Sequence, residues 1–161
     1  MTELDLPASV LTKADFSPIE DIALAILREE LPDVPIFSLI PEETPDFFVL
    51  TRRRSALGNW DGDPRFTDVG QVDIHIFTRD PDGDEKGAVL GEAVRVAFRN
   101  AWLDHRSVPG RGSVIRIIQT SDPARKTDWA TASGPVQYAD LPTGYWRYES
   151  SYEFRVRKPI R

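Results

Sequence analysis

The clearest alternation of apolar and polar positions lies near the end of the chain, from residue 145 to residue 157. One face reads Trp146, Tyr148, Ser150, Tyr152, Phe154 and Val156, and the other reads Arg147, Glu149, Ser151, Glu153, Arg155 and Arg157. A period of two with one apolar and one charged face predicts an antiparallel strand that is buried on one side. Because this strand is about twice the usual length, we expect it to overhang its domain and pair with a neighbouring chain.

Two stretches show helical periodicity instead. The first follows Ser17-Pro18, where Ser17 is predicted to cap the helix and Glu20 to complete a capping box, and it ends before Pro32. The second covers roughly residues 85 to 104, with a buried stripe made of Leu90, Val94, Ala97, Phe98 and Ala101. This second helix also carries a spare apolar strip formed by Val89, Ala93 and Val96. An uncovered apolar strip favours a subunit contact.

Shorter apolar runs predict strands at 34–40, 47–54, 69–78 and 112–120. In the third of these, Val72, Ile74 and Ile76 alternate with Gln71, Asp73 and His75. The element order is therefore α-β-β-β-α-β-β. It predicts an α+β fold in which two helices pack on one face of a mainly antiparallel sheet.

The length of 161 residues is that of one ordinary domain. We expect residues 1–16 to be a flexible N-terminal arm and residues 17–161 to form a single α+β domain. Two long loops are predicted, at about 55–68 with Trp60 and at 121–144 with Trp129. Structureless loops of this length are usually functional, and a tryptophan is well placed only where something covers it. Both loops are therefore predicted to bind partners, and the second to be mobile in the free subunit.

The composition narrows the range of possible functions. The formal net charge is −6 and there is no cysteine, which excludes disulfides and thiol chemistry and opposes sequence-specific binding to nucleic acid. The basic run Arg52-Arg53-Arg54 is accordingly predicted to form a salt-bridging rim and not a phosphate site. The chain has no signal-peptide pattern and no apolar run of about 20 residues. We expect no membrane association, and synthesis in the cytoplasm.

The chain has two histidines, and one of them could act as an acid–base group. Asp73 and His75 share one face of a predicted strand and could form a dyad, but the sequence supplies no nucleophile beside them. A polar pair on the protein surface is the preferred interpretation. His105 follows the second helix, where an imidazole suits the negative end of the helix dipole.

Asp80, Asp82 and Asp84 have the spacing of the first ligands of a calcium loop. The sixth position is Glu85 where glycine is needed, and the twelfth is Gly91 where glutamate is needed. Capping of the following helix explains the acidic residues equally well. The sequence thus predicts no catalytic residue, no metal site and no cofactor.

The pattern over residues 17 to 158 resembles the tail terminator, or tail completion, proteins of bacteriophages with long non-contractile tails. The resemblance rests on the helix at 19–31 followed by Val34-Pro-Ile-Phe37, and on the strands Phe47-Phe-Val-Leu-Thr-Arg52 and Asp68-Val-Gly-Gln-Val-Asp-Ile-His-Ile-Phe77. It continues through Asp80-Pro-Asp82 into the second helix and ends with the strand from Trp146 to Arg157.

This resemblance implies a structural virion protein and not an enzyme. It implies a homo-oligomeric ring, commonly six-fold, that caps the tail tube in the virion neck and joins it to the head–tail connector. The implied partners are further copies of the chain, the major tail protein and the connector proteins. Combined with the residue patterns, it predicts an interface formed by Arg52, Arg53, Arg54, Trp60, Val89, Ala93, Val96 and Trp129.

Three alternatives stay open. The chain could be another neck or connector protein of the same kind of virion. It could be a small acid–base enzyme that uses Asp73 and His75, or a monomeric binding module that uses the two tryptophan-bearing loops.

Overall fold

The computed structural model describes residues 5–53, 63–126 and 145–160, apart from the side chain of Arg53. The helices are α1 (Ala8–Leu11), α2 (Ile19–Glu30) and α3 (Gly83–Leu103). The strands are β1 (Ile36–Phe37), β2 (Phe47–Arg53), β3 (Thr67–Arg79), β4 (Ser107–Val108), β5 (Gly112–Lys126) and β6 (Tyr145–Arg157). The chain is thus a mixed α and β protein, with helices and strands interspersed.

The six strands form one curled sheet in the order β1-β2-β3-β6-β5-β4. The short edge strand β1 runs parallel to β2, and the other neighbouring pairs are antiparallel. β6 lies in the middle of the sheet. It pairs with β3 along its whole length and with β5 from Arg147 to Arg157. The prediction that β6 overhangs the domain is therefore wrong, because both of its edges are already hydrogen-bonded within the chain.

The main core lies between the sheet and the two longer helices. α2 and α3 contact each other and the sheet, and their apolar side chains form one buried cluster with residues of β2, β3, β5 and β6, including Val49, Ile74, Val114 and Tyr152. A second, smaller cluster is formed by Phe48, Leu50 and Phe77. By strand alternation these three side chains point away from the helices. We call the side of the sheet that carries them the second face.

α2 begins without the predicted cap. Pro18 occupies the N-cap position, and no side chain bonds to the first helical amides. Glu20 accepts a hydrogen bond from the Thr51 hydroxyl at 3.1 Å instead. Thr51 is fully buried, and a buried hydroxyl must find a partner. Glu20 therefore ties α2 to β2 and does not close a capping box.

α3 packs closely against β6 through glycines on its buried side. A Cβ atom on Gly87 would lie 2.6 Å from Cδ2 of Tyr148, closer than carbon atoms can approach. The helix ends where the His105 amide donates to the Trp102 carbonyl and the Arg106 amide to the Ala101 carbonyl. His105 itself adopts the left-handed conformation. This is a Schellman-type end, so His105 ends the helix through its backbone.

The observed elements differ from the predicted ones in several places. Only Ile36–Phe37 of the strand predicted at 34–40 is a strand. A single helical turn, α1, lies within the segment predicted to be a flexible arm, and the two-residue strand β4 was not predicted. β5 also continues to Lys126, so the first six residues of the predicted 121–144 loop belong to a strand. Its pairing with β6 is irregular there, which is why the stretch around Pro123 has no clear alternation.

Candidate subunit interface and the polar second face

An apolar groove lies between the C-terminal end of α2 and the first half of α3. Its volume is 690 Å³. Its apolar walls are Leu31, Val34, Phe47, Val89, Leu90 and Ala93. We call this the α2–α3 groove. Val89 is 64% exposed and Phe47 is 41% exposed, so the groove leaves large apolar side chains in contact with water.

The rim of the α2–α3 groove is mainly acidic. Asp46, Asp82 and Glu85 line it together with a single cation, Lys86. Asp82 precedes α3 and Glu85 lies in its first turn. Negative charge at this end of a helix is favoured by the helix dipole. An apolar floor with an acidic rim suits a partner that brings apolar side chains and a positive charge.

The predicted interface strip on α3 is divided between two surfaces. Val89 and Ala93 line the α2–α3 groove, whereas Val96 lines a smaller cavity of 160 Å³ beside Trp102 and Ile117. Both Ala93 and Val96 are half-buried. The structure therefore brings two of the three residues together and adds Phe47, Leu31 and Val34, which the helical pattern of α3 alone could not reveal.

The other predicted interface residues are placed only in part. Arg52 is half-buried and lies on the second face. The side chain of Arg53, and the whole of Arg54, Trp60 and Trp129, lie outside the described residues. Of the predicted salt-bridging rim at 52–54, the structure thus describes only the side chain of Arg52. Its positive charge helps to lower the pKa of His75.

The second face also carries a polar cluster, arranged in rows by the strand register. Leu50 of β2, His75 of β3 and Glu149 of β6 form one row, and Arg52, Asp73 and Ser151 form the next. Ser151 donates a hydrogen bond to Asp73 Oδ1 at 2.7 Å. Arg147 lies one row away and approaches Glu149 at 3.8 Å.

His75 is buried, with 3% of its surface exposed. The prediction that it belongs to a polar pair on the surface is therefore wrong. Burial lowers its pKa to about 4, assisted by the positive charges of Arg147, Arg52 and Lys126. Glu149 is the acidic residue that approaches His75, and its Oε2 atom lies 4.0 Å from His75 Nδ1. The imidazole is consequently neutral at pH 7.

A sequence signal for this burial does exist. Phe47-Phe48-Val49-Leu50 and Ile74-His75-Ile76-Phe77 are nearly continuous apolar runs. Such runs are typical of strands that are buried on both faces. The alternation of Val72, Ile74 and Ile76 in the same stretch is equally typical of a strand with one face in water, so the two patterns predict opposite environments for His75.

The acid–base alternative gains little from this geometry. Asp73 is engaged by Ser151, and the carboxylate near His75 comes from another strand. A general base works best with a pKa near the operating pH, and a pKa of about 4 makes His75 a weak base at pH 7. His75 lines neither the α2–α3 groove nor the smaller cavity beside Trp102.

Two of the acidic residues at the start of α3, Asp80 and Asp84, have partners within the protein. Asp80 accepts a hydrogen bond from the Trp146 indole at 2.9 Å. Asp84 accepts one from the Tyr148 hydroxyl and pairs with Arg125 at 3.3 Å. They join the start of α3 to β5 and β6. Within the described ranges no three side chains of the metal-ligating types come together.

In the part of the chain that the structure describes, no helix is long and apolar enough to cross a membrane. Comparison with known proteins finds no protein-family model and no curated protein that matches this chain.

Proposed function

We propose that this chain is a structural assembly subunit that closes into a ring, caps a phage tail tube and joins it to the head–tail connector. The observation that carries the proposal is the α2–α3 groove. A monomeric protein seldom leaves apolar side chains such as Val89 and Phe47 together in an open groove, and such a surface marks an interaction site.

The order of the larger elements supports the particular role. Without α1 and the two-residue strands β1 and β4, the order is α-β-β-α-β-β. It differs only by the short β1 from the order α-β-β-β-α-β-β on which the resemblance to tail terminator proteins rests. The buried, neutral His75 and the protein-bonded Asp80 and Asp84 also favour structural roles for the groups that were weighed as catalytic or metal-binding.

The proposed role is tested by adding the purified chain to preassembled tail tubes from its own virus. Electron microscopy should show density at one end of each tube and no further growth when tube protein is added. Val89→Glu should lower end occupancy about ten-fold or more, because the variant places a charge in an apolar contact.

Leu103→Glu is the matched control. Leu103 lies on the same helix and is 67% exposed, but it does not line the groove, so we expect normal capping. Binding to connector rings without binding to tubes would favour the alternative of another neck protein. Binding to neither, by a folded chain, would contradict the proposal.

A further inference from the structure

A segment with exposed apolar and basic side chains follows β6 at one end of the molecule. Ile160 is 99% exposed and Phe66 is 50% exposed. The Lys158 amide donates a hydrogen bond to the Phe66 carbonyl at 3.2 Å, and Lys158 Nζ lies 5.7 Å from the centre of the Phe66 ring. We call residues 157–161 together with Phe66 the basic end. Two apolar side chains of the basic end are thus in contact with water beside positive charge.

The basic end and the α2–α3 groove carry opposite charge. Residues 157–161 read Arg-Lys-Pro-Ile-Arg, with three basic residues and no acidic one. Asp15 lies 4.0 Å from Lys158 and balances part of this charge, and the nearby Asp63 is paired with Arg65 at 2.8 Å. The segment therefore keeps a net positive charge, whereas the rim of the groove carries three carboxylates and one lysine. An apolar floor with an acidic rim matches an apolar segment with positive charge.

The basic end cannot reach the acidic rim of its own chain. Arg157 pairs with Thr67 at one end of β3. At the other end of β3, the Arg79 amide donates a hydrogen bond to the carbonyl of Asp46 on the rim. The strand between Thr67 and Arg79 measures roughly 40 Å, while residues 158–160 extend at most roughly 11 Å beyond β6. A rim that receives this segment must therefore belong to another copy.

We propose that the basic end of one copy docks in the α2–α3 groove of the next copy. Ile160 and Phe66 lie on the apolar floor, and Arg157 and Lys158 face the acidic rim. The contact joins two different surfaces, so it is heterologous, and repetition with a closing rotation produces a ring. The inference rests on the proposed ring and names the contact between its neighbouring copies.

The first test uses engineered cysteines, because the natural chain has none. One batch carries Ile160→Cys and a second carries Val89→Cys. Mixed with a mild oxidant, in solution or on tail tubes, they should give a covalent dimer that contains one copy of each. Each batch alone, and a mixture of Ile160→Cys with Leu103→Cys, should stay largely uncrosslinked, because Leu103 does not line the groove.

The second test exchanges the charges of the two surfaces. Arg157→Glu with Lys158→Glu should weaken association about ten-fold or more at low salt, because like charges then face each other. Asp46→Lys with Glu85→Lys, at two exposed positions, should weaken it similarly. A chain that carries all four changes regains opposite charges and should associate nearly as the wild type does. Recovery of this kind distinguishes a direct contact from a loss of folding.

The outcomes separate this inference from the proposed function. A wild-type ring that forms normally while Ile160→Cys and Val89→Cys do not crosslink overturns the docking of the basic end and leaves the ring intact. Equal crosslinking of the Leu103→Cys mixture, or no recovery in the four-fold charge variant, also overturns the docking. A wild-type chain that stays monomeric both in solution and on tail tubes overturns the proposed function and this inference together.

Discussion

His75 lies in the polar cluster of the second face, where burial and three nearby cations lower its pKa from 6.5 to about 4. In the unfolded chain its pKa returns to about 6.5. Between pH 6.5 and pH 4 the imidazole is protonated in the unfolded chain but neutral in the folded one. His75 therefore makes folding less favourable as the pH falls through this range. The difference amounts to roughly 3 kcal/mol at the acid end of this window.

His75→Gln should therefore flatten the loss of stability between pH 6.5 and pH 4. Urea denaturation of the wild type and the variant at several pH values measures this slope. A His75→Gln slope equal to that of the wild type would contradict a neutral, buried imidazole. Tube capping by the variant should be unchanged, because the account gives His75 no chemical role.

Gly87 tests the close packing of α3 against β6. In a solvent-exposed helix, alanine is more stable than glycine by about 1 kcal/mol. Here the added methyl group would meet the ring of Tyr148, whose hydroxyl is held by Asp84. Overpacking of this kind costs about 1–3 kcal/mol.

We expect Gly87→Ala to destabilise the protein by about 1 kcal/mol once its gain in helix propensity is included. Ala88→Gly, at the exposed neighbouring position, should also destabilise by about 1 kcal/mol, for propensity alone. If Gly87→Ala raised the melting temperature, helix and strand would be farther apart than described.

At the scale of elements, sequence periodicity predicted most of the helices and strands. The predicted limits of β6 match the observed strand, and the buried stripe of α3 is confirmed at Val94, Ala97, Phe98 and Ala101. Both elements could be predicted because each repeats its apolar side many times: α3 over about three turns and β6 over six residue pairs. α1 and β4 are too short for any period to show.

The arrangement of the elements was harder to predict. Alternation shows which side of β6 is apolar, but not which strands lie on either side of it, because pairing is decided by contacts distant in sequence. The prediction that β6 overhangs the domain is wrong for this reason, because the strand lies between β3 and β5. The α2–α3 groove has the same origin: its walls come from the segment that follows α2, from β2 and from α3, and only the α3 wall carries a periodic signal.

The central position of β6 predicts its hydrogen exchange. Amides of β6 near Tyr152 are bonded within the sheet on both sides of the strand, so they should exchange only on global unfolding. Amides on the outer edge of β5 beyond Val114, where no described strand pairs with it, should exchange much faster. Exchange followed by NMR or mass spectrometry checks this order. Fast exchange throughout β6 in the isolated chain would contradict the topology.

At the scale of the whole molecule, the apolar surfaces lie at different ends. The α2–α3 groove adjoins Thr78 at one end of β3, while exposed Phe66 and the arm adjoin the other end, near Lys158. Different surfaces at the two ends of a molecule permit head-to-tail association. The angle between successive copies then decides whether the assembly closes into a ring. That angle depends on the geometry of the interface, so it could not be predicted from residue patterns in the sequence.

Ring formation is tested most directly by the mass of the assembled chain, measured by native mass spectrometry together with light scattering across a range of concentrations. We expect one discrete closed species, most simply six copies of the 18.2 kDa chain, either in solution or when the chain is released from capped tubes. A chain that remains monomeric in both settings, or that forms an open series of increasing masses, would contradict the ring.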